Sequence, residues 1–163
     1  MARALIVGCG CRGRDLACAL LESGWVARGT TRAEARLDEI AATGAEAVLA
    51  DPDQVGSVLD HVGDVTVVYW LLASAYGEPE AVEALHGARL ERMLEQLVDT
   101  PVRGFVYEAA GSAEPAQLEA GAALVQAASA RWRIPVRVVE ADPGEPEAWR
   151  AAMLVAATGL AGG

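Results

Sequence analysis

A doubly wound α/β domain is the fold class this sequence predicts, and three observations predict it. Strand-like apolar runs alternate with helix-like segments along the whole chain. The fourth run, Val65–Leu72, is continuously apolar, as in a strand buried on both faces. The first run opens into Gly8-x-Gly10-x-x-Gly13, and a helix-like stretch follows at once. Six strands alternating with helices give a parallel sheet with helices on both faces. Right-handed crossovers and a glycine turn after the first strand make 3-2-1-4-5-6 the expected strand order.

The elements follow in order. The first strand is read at about Ala2–Val7 and its helix at Gly13–Ser23. Trp25–Thr30 is the second strand, with a helix over Arg32–Thr43. Ala45–Ala50 is the third, and Pro52 starts a short helix that runs to His61. After the fourth strand, a loop over Ala73–Gly77 leads to one long helix, Pro79–Val98, with proline well placed in its first turn. Val102–Glu108 is the fifth strand, followed by a helix over Pro115–Trp132. Val136–Glu140 is the sixth, and a last helix covers Pro146–Thr158, leaving a glycine-rich tail expected to fray. No linker or repeat divides the chain, so residues 1–163 read as a single domain.

Each glycine of the loop has a physical role. Gly8 permits the tight turn out of the strand, Gly10 lets backbone approach a pyrophosphate, and Gly13 lets the helix pack on the strand. The helix then points free N–H groups and its positive dipole end at the phosphates. Cys11 and Arg12 sit inside this loop, and Arg12 is within reach of phosphate. The expected partner is therefore a dinucleotide. Its site lies at the carboxyl ends of the strands, near the switch between the first and fourth.

The end of the second strand selects the dinucleotide. An NAD site usually has an acidic residue there to accept from the adenosine ribose. This strand ends Arg28-Gly29-Thr30-Thr31-Arg32, with no acid before Glu34. Two hydroxyls and a guanidinium suit a 2′-phosphate, which a carboxylate would repel. NADP(H) is favoured over NAD(H); the competing role for Arg32 is simply to open a surface helix. Asp51, just after the third strand, is placed to accept from the adenine amino group, or to N-cap the next helix, or both.

Composition narrows the partners. A hydrophobic content of 53% fits a packed domain rather than a disordered chain. The formal charge of −10 argues against nucleic acid and against an anionic membrane surface. No run reaches the ~20 apolar residues that span a bilayer, and the N-terminal run is too short for a signal peptide. A cytoplasmic location is expected. Three cysteines, Cys9, Cys11 and Cys18, are an odd number in a chain expected to be cytosolic and suggest no disulfide framework, and they fit no zinc spacing. They read as small apolar residues at crowded positions. The sharper alternative makes Cys9 or Cys11 an oxidisable thiol, activated by the helix N-terminus.

ALIVGCGCRG, GTTR, Asp51, VVYWLLAS and GFVYEAAG together resemble the extended and atypical short-chain dehydrogenase/reductases, especially the NAD-dependent epimerase/dehydratase and NmrA-like branches, over about residues 2–140. The resemblance implies a Rossmann fold and adds Leu72 and Ala73, at the end of the fourth strand, to the cofactor contacts. It also implies a Tyr-x-x-x-Lys pair on the helix after the fifth strand and a catalytic Ser/Thr just before it. The chain has no lysine, that helix has no tyrosine, and Ala109 and Ala110 stand where the hydroxyl belongs. Ser112 is displaced, and only one helix follows the sixth strand where the family has a substrate segment. Losing the acid/base alone forfeits about 10²–10⁴ in rate.

Three functions are consistent with this pattern. The first is an NADP(H)-binding sensor or degenerate family member without the usual catalysis. The second is a reductase or epimerase-like enzyme with a rearranged site, built from Tyr76 with Glu108, Glu140 and Asp142 on the strand rims. The third is a structural homodimer with a vestigial loop, pairing through the helices at Pro79–Val98 and Pro115–Trp132. His86 and Arg89 share one face of the first of these helices and read as a surface or dimer contact; Tyr107 reads as core.

Overall fold

The computed structural model describes residues 1–162. Six parallel strands form one sheet in the order β3-β2-β1-β4-β5-β6. They are β1 (Arg3–Val7), β2 (Val26–Thr31), β3 (Glu46–Leu49), β4 (Val67–Trp70), β5 (Gly104–Glu108) and β6 (Val136–Val139). The helices are α1 (Cys11–Glu22), α2 (Leu37–Ala41), α3 (Val55–Leu59), α4 (Pro79–Leu85), α5 (Ala88–Leu97), α6 (Pro115–Trp132) and α7 (Pro146–Ala161). The predicted sheet order is the observed one.

Side chains of the central strands alternate between two cores, as parallel strands covered on both faces require. Leu5, Val7, Val68, Trp70, Phe105 and Tyr107 face one core, under α3, α5 and α6. Ala4, Ile6, Val67, Tyr69 and Val106 face the other, under α1 and α7. Polar tips are satisfied where they are buried. Trp70 Nε1 donates to the Leu85 carbonyl at 2.9 Å, and Tyr69 Oη donates to the Met153 carbonyl at 2.9 Å. The pole of the sheet away from the glycine loop is closed by Arg28. Its guanidinium bonds Glu46 at 2.8 Å, Asp64 at 2.7 Å and the His61 carbonyl at 2.8 Å.

Four sequence expectations change. The segment read as one helix over Arg32–Thr43 is a 3₁₀ turn, Glu34–Arg36, followed by the short α2. Thr31 Oγ1 accepts from Ala33 N at 3.1 Å, a local turn that holds this stretch out of the helix. The helix expected from Pro52 begins only at Val55, because Asp51 Oδ1 takes the Asp53 N–H at 2.9 Å. The long helix over Pro79–Val98 is two, α4 and α5, broken at His86–Gly87. The tail expected to fray continues α7 to Ala161; Gly163 lies outside the described residues.

Candidate functional site

The glycine loop is tied to β2 at its first step. Gly8 N donates to Thr30 Oγ1 at 3.3 Å and Cys9 N to the Thr30 carbonyl at 3.0 Å. Gly8 has φ +85°, and a Cβ there would sit 2.6 Å from the Leu71 carbonyl oxygen. Both the turn and the contact with β4 therefore require glycine. A Cβ on Gly13 would crowd Gly8 O, Cys9 Sγ and Ile6 Cγ2 at 3.2–3.3 Å, so this glycine seats α1 on the sheet. Gly10 differs: a Cβ there meets nothing within 4 Å. It is the N-cap of α1, no side chain caps that helix, and its first turn leaves N–H groups without helical acceptors.

These groups open onto a cleft of about 440 Å³ at the carboxyl ends of the strands. Gly8, Gly10, Cys11, Arg12, Gly13, Thr30, Thr31, Arg32, Leu72 and Tyr76 all line it. Thr30 is buried, and its hydroxyl already serves the Gly8 N–H, so Thr31 and Arg32 carry the exposed polarity at the end of β2. Tyr76 is 82% exposed at the margin. Asp51 and Ala73 fall outside the lining. The Asp51 carboxylate is turned to its own Asx bond, and Ala73 is fully buried. Glu140 and Asp142 line a second cleft whose lining does not include Tyr76.

Arg36 also lines the main cleft, which the sequence reading missed. The 3₁₀ turn carries it back beside Arg32, and Glu39 holds its guanidinium at 3.3 Å. Arg12, Arg32 and Arg36 make the cleft basic in a chain of net charge −10. Arg12 Nε is buried and, among the described residues, has no hydrogen-bond partner. The arrangement suits an anion: open backbone at Gly10, a free helix N-terminus and three guanidinium groups.

Glu108 ends β5 at the floor of this cleft and is 1% exposed. One oxygen accepts from Ala73 N at 3.2 Å and the other from Trp149 Nε1 at 3.0 Å, joining the end of β4 to α7. Burial pushes its carboxyl above the usual range, and the nearby Arg12 charge works against that shift.

His86 is not a surface or dimer contact. It is 3% exposed and points inward between the main cleft's floor and β5. Its Nε2 lies 3.1 Å from the Leu72 carbonyl oxygen, which only accepts, so Nε2 carries the proton. Nδ1 then accepts from Tyr107 Oη at 2.7 Å. Arg89 points elsewhere and pairs with Asp53 at 3.1 Å. Burial lowers the His86 pKa from its ordinary 6.5. As pH falls below about 6.5, the unfolded chain takes up a proton that the folded chain refuses, and stability declines. The unfolding free energy of wild type minus that of His86→Gln is expected to shrink between pH 7.5 and 5. A constant difference, measured by denaturant titration, would mean that His86 titrates normally in the fold.

The cysteine expectation divides. Cys9 is buried, with its Sγ under Gly29, where a Cβ would lie only 2.6 Å away. Desolvation pushes its thiol up to about 12, so Cys9 is not an activated nucleophile. Cys11 and Cys18 are exposed rather than crowded.

No family model matches the chain, and no curated protein matches its sequence. Solved structures do match its fold. BdcA (YjgI) from E. coli superposes with a TM-score of 0.74 at 16% identity, over 96% of this chain and 90% of that one. A putative short chain dehydrogenase/reductase family oxidoreductase from Aeromonas hydrophila gives 0.74 at 16% identity, over 95% and 90%. UDP-glucuronic acid 4-epimerase from Bacillus cereus, in complex with NAD, gives 0.63 at 17% identity, over 83% and 55%. The chain shares with them a Rossmann-like α/β fold. The chain spans about half the length of the epimerase. In Rossmann terms the cleft lies at the β1/β4 switch, where such sheets bind ligands.

Proposed function

We propose that the chain binds a nicotinamide dinucleotide in the main cleft, NADP(H) in preference to NAD(H), without the family's usual proton-transfer chemistry. The observation that carries this reading is the cleft's composition. A glycine turn with open space at Gly10 meets the end of β2 and the turn after it, where Thr31, Arg32 and Arg36 line the cleft. Gly10 and the α1 N-terminus would hold the diphosphate, with Arg12 beside them. Arg32 and Arg36 would take the 2′-phosphate. When bound, the dinucleotide supplies hydride chemistry; the chain's own contribution is to bind and orient it. Ala109 and Ala110 flank the second cleft and offer no hydroxyl.

Titration with NADPH and NADH, followed by calorimetry, tests this. NADPH is expected to bind more tightly. Arg32→Ala and Arg36→Ala should each weaken NADPH by about tenfold, the scale of one charge-assisted bond, and leave NADH nearly unchanged. Gly10→Val should abolish both while leaving the unfolding midpoint in place, because the side chain enters ligand space rather than protein. Tighter NADH binding, or undiminished binding to Gly10→Val, would overturn the reading. The rearranged-enzyme reading keeps one support, the place of Tyr76 in the same cleft. It requires substrate-dependent NADPH consumption that Tyr76→Phe removes.

A further inference from the structure

Among the described residues, Tyr76 is the one aromatic side chain left largely in water, and it stands at the margin of the main cleft. The other two tyrosines are fully buried with bonded hydroxyls, Tyr69 to the Met153 carbonyl and Tyr107 to His86. Tyr76 has no such anchor among the described residues, so what it offers a ligand is its ring. The backbone that leads to it is fixed. Ala75 N donates to the Leu72 carbonyl at 3.2 Å, Ala113 N to the Ala73 carbonyl at 2.8 Å and Ser112 N to Ser74 Oγ at 3.1 Å.

The segment after β4 stands against the segment after β3. Arg89, on α5, pairs with Asp53 at 3.1 Å, and Leu85 and Pro52 both line the cleft. Here the lining is apolar, with Ala50, Pro52, Ala75 and Leu85. Ala50 and Leu85 belong to one core, and Ala75 packs against it. Arg32 and Arg36 line the same cleft from the end of β2, the strand beside β3. The cleft thus pairs cations suited to phosphate with apolar walls suited to a flat, uncharged ring. A purine whose ribose carries a phosphate has both parts. Its π-face stacks on an aromatic side chain whatever its edge pattern. Glu108 and Trp149 line the cleft on the β5 side, so the two rings of a dinucleotide meet different walls.

We infer that the Tyr76 ring stacks on the purine of the bound dinucleotide and closes the apolar end of the cleft, as a binding residue rather than an acid or base. This rests on the dinucleotide reading proposed above. Three probes separate the parts: adenosine 2′,5′-bisphosphate, nicotinamide mononucleotide and inorganic pyrophosphate. Each is titrated by calorimetry into wild type, Tyr76→Ala and Tyr76→Phe, with the adenine H2 and H8 resonances followed in parallel. Tyr76→Ala is expected to weaken the bisphosphate by about tenfold, the scale of one base stacked on an aromatic side chain, and to diminish the upfield shift of H2 and H8. Tyr76→Phe, which keeps the ring, should retain both the affinity and the shift. Pyrophosphate, which has no ring, should bind wild type and Tyr76→Ala alike. An unchanged bisphosphate affinity in Tyr76→Ala, an equal loss in Tyr76→Phe, or a loss confined to nicotinamide mononucleotide would overturn the inference and leave dinucleotide binding intact. If wild type binds none of the probes, the dinucleotide reading fails and this one with it.

Discussion

Gly121→Ala is expected to destabilise the chain by about 3 kcal/mol, read as a fall of roughly 6–12 °C in the thermal midpoint. Gly121 lies on the buried face of α6. A Cβ there would stand 2.0 Å from Tyr107 Oη and 2.6 Å from its ring carbon Cζ. The tyrosine cannot retreat. It is fully buried, and its hydroxyl is held by His86 Nδ1 at 2.7 Å on the other side. The methyl must therefore lift α6 from β5 or break the Tyr107–His86–Leu72 chain. Adding Tyr107→Phe should restore part of the loss, because it removes the closer of the two atoms. Only partial recovery is expected, since the ring remains and Nδ1 loses its donor. An alanine variant within about 0.5 kcal/mol of wild type, the usual range for neutral substitutions, would show that α6 is not pinned here.

Glu108→Leu is expected to cost about 2–4 kcal/mol, because two buried N–H groups lose their acceptor at once. Relief of the desolvated carboxylate offsets part of that cost, which keeps the figure below the sum of two full penalties. Ala73 N follows β4 and Trp149 Nε1 belongs to α7, and one carboxylate bonds both. The loss should therefore be accompanied by a change in Trp149 emission, measurable in a variant whose other three tryptophans are phenylalanine. Glu108→Gln should fall between the two, because its amide offers one acceptor oxygen for two donors. If leucine matched wild type in denaturant titration, the carboxylate would not anchor α7.

The sheet was legible because its signals are local and repeated. Six apolar runs with helices between them, and the glycine turn at Gly8–Gly13, set the order without any side-chain detail. What escaped depended on groups far apart in the chain. His86 and Tyr107 are 21 positions apart, and nothing along the α4–α5 segment shows that the imidazole turns inward. Gly87 was the available signal, since glycine weakens a helix, and it marks the break. Arg36 was missed because helical periodicity was extended over a stretch that Thr31 bends into a turn. Glu108 belongs to a catalytic rim only in the alternative of a rearranged enzyme. Its actual partners, one 35 positions before it and one 41 after, make it a strut at the cleft floor. Cys9 is a small apolar residue at a crowded position, as its place in the sequence predicts, and the reactive alternative fails because burial outweighs the helix terminus.

The contact between Cys9 Sγ and Gly29 has a consequence for how this chain can change over time. The glycine loop and the strand behind it share one small volume. A larger residue at 29 needs position 9 to shrink first, for example through Cys9→Gly, and Ile40 Cγ2, 3.0 Å from that Cβ, to give way as well. In the reverse order the intermediate pushes the glycine loop out of place. Drift at these two sites is therefore ordered: some single steps are closed until another has been taken, though both end points fit the same fold.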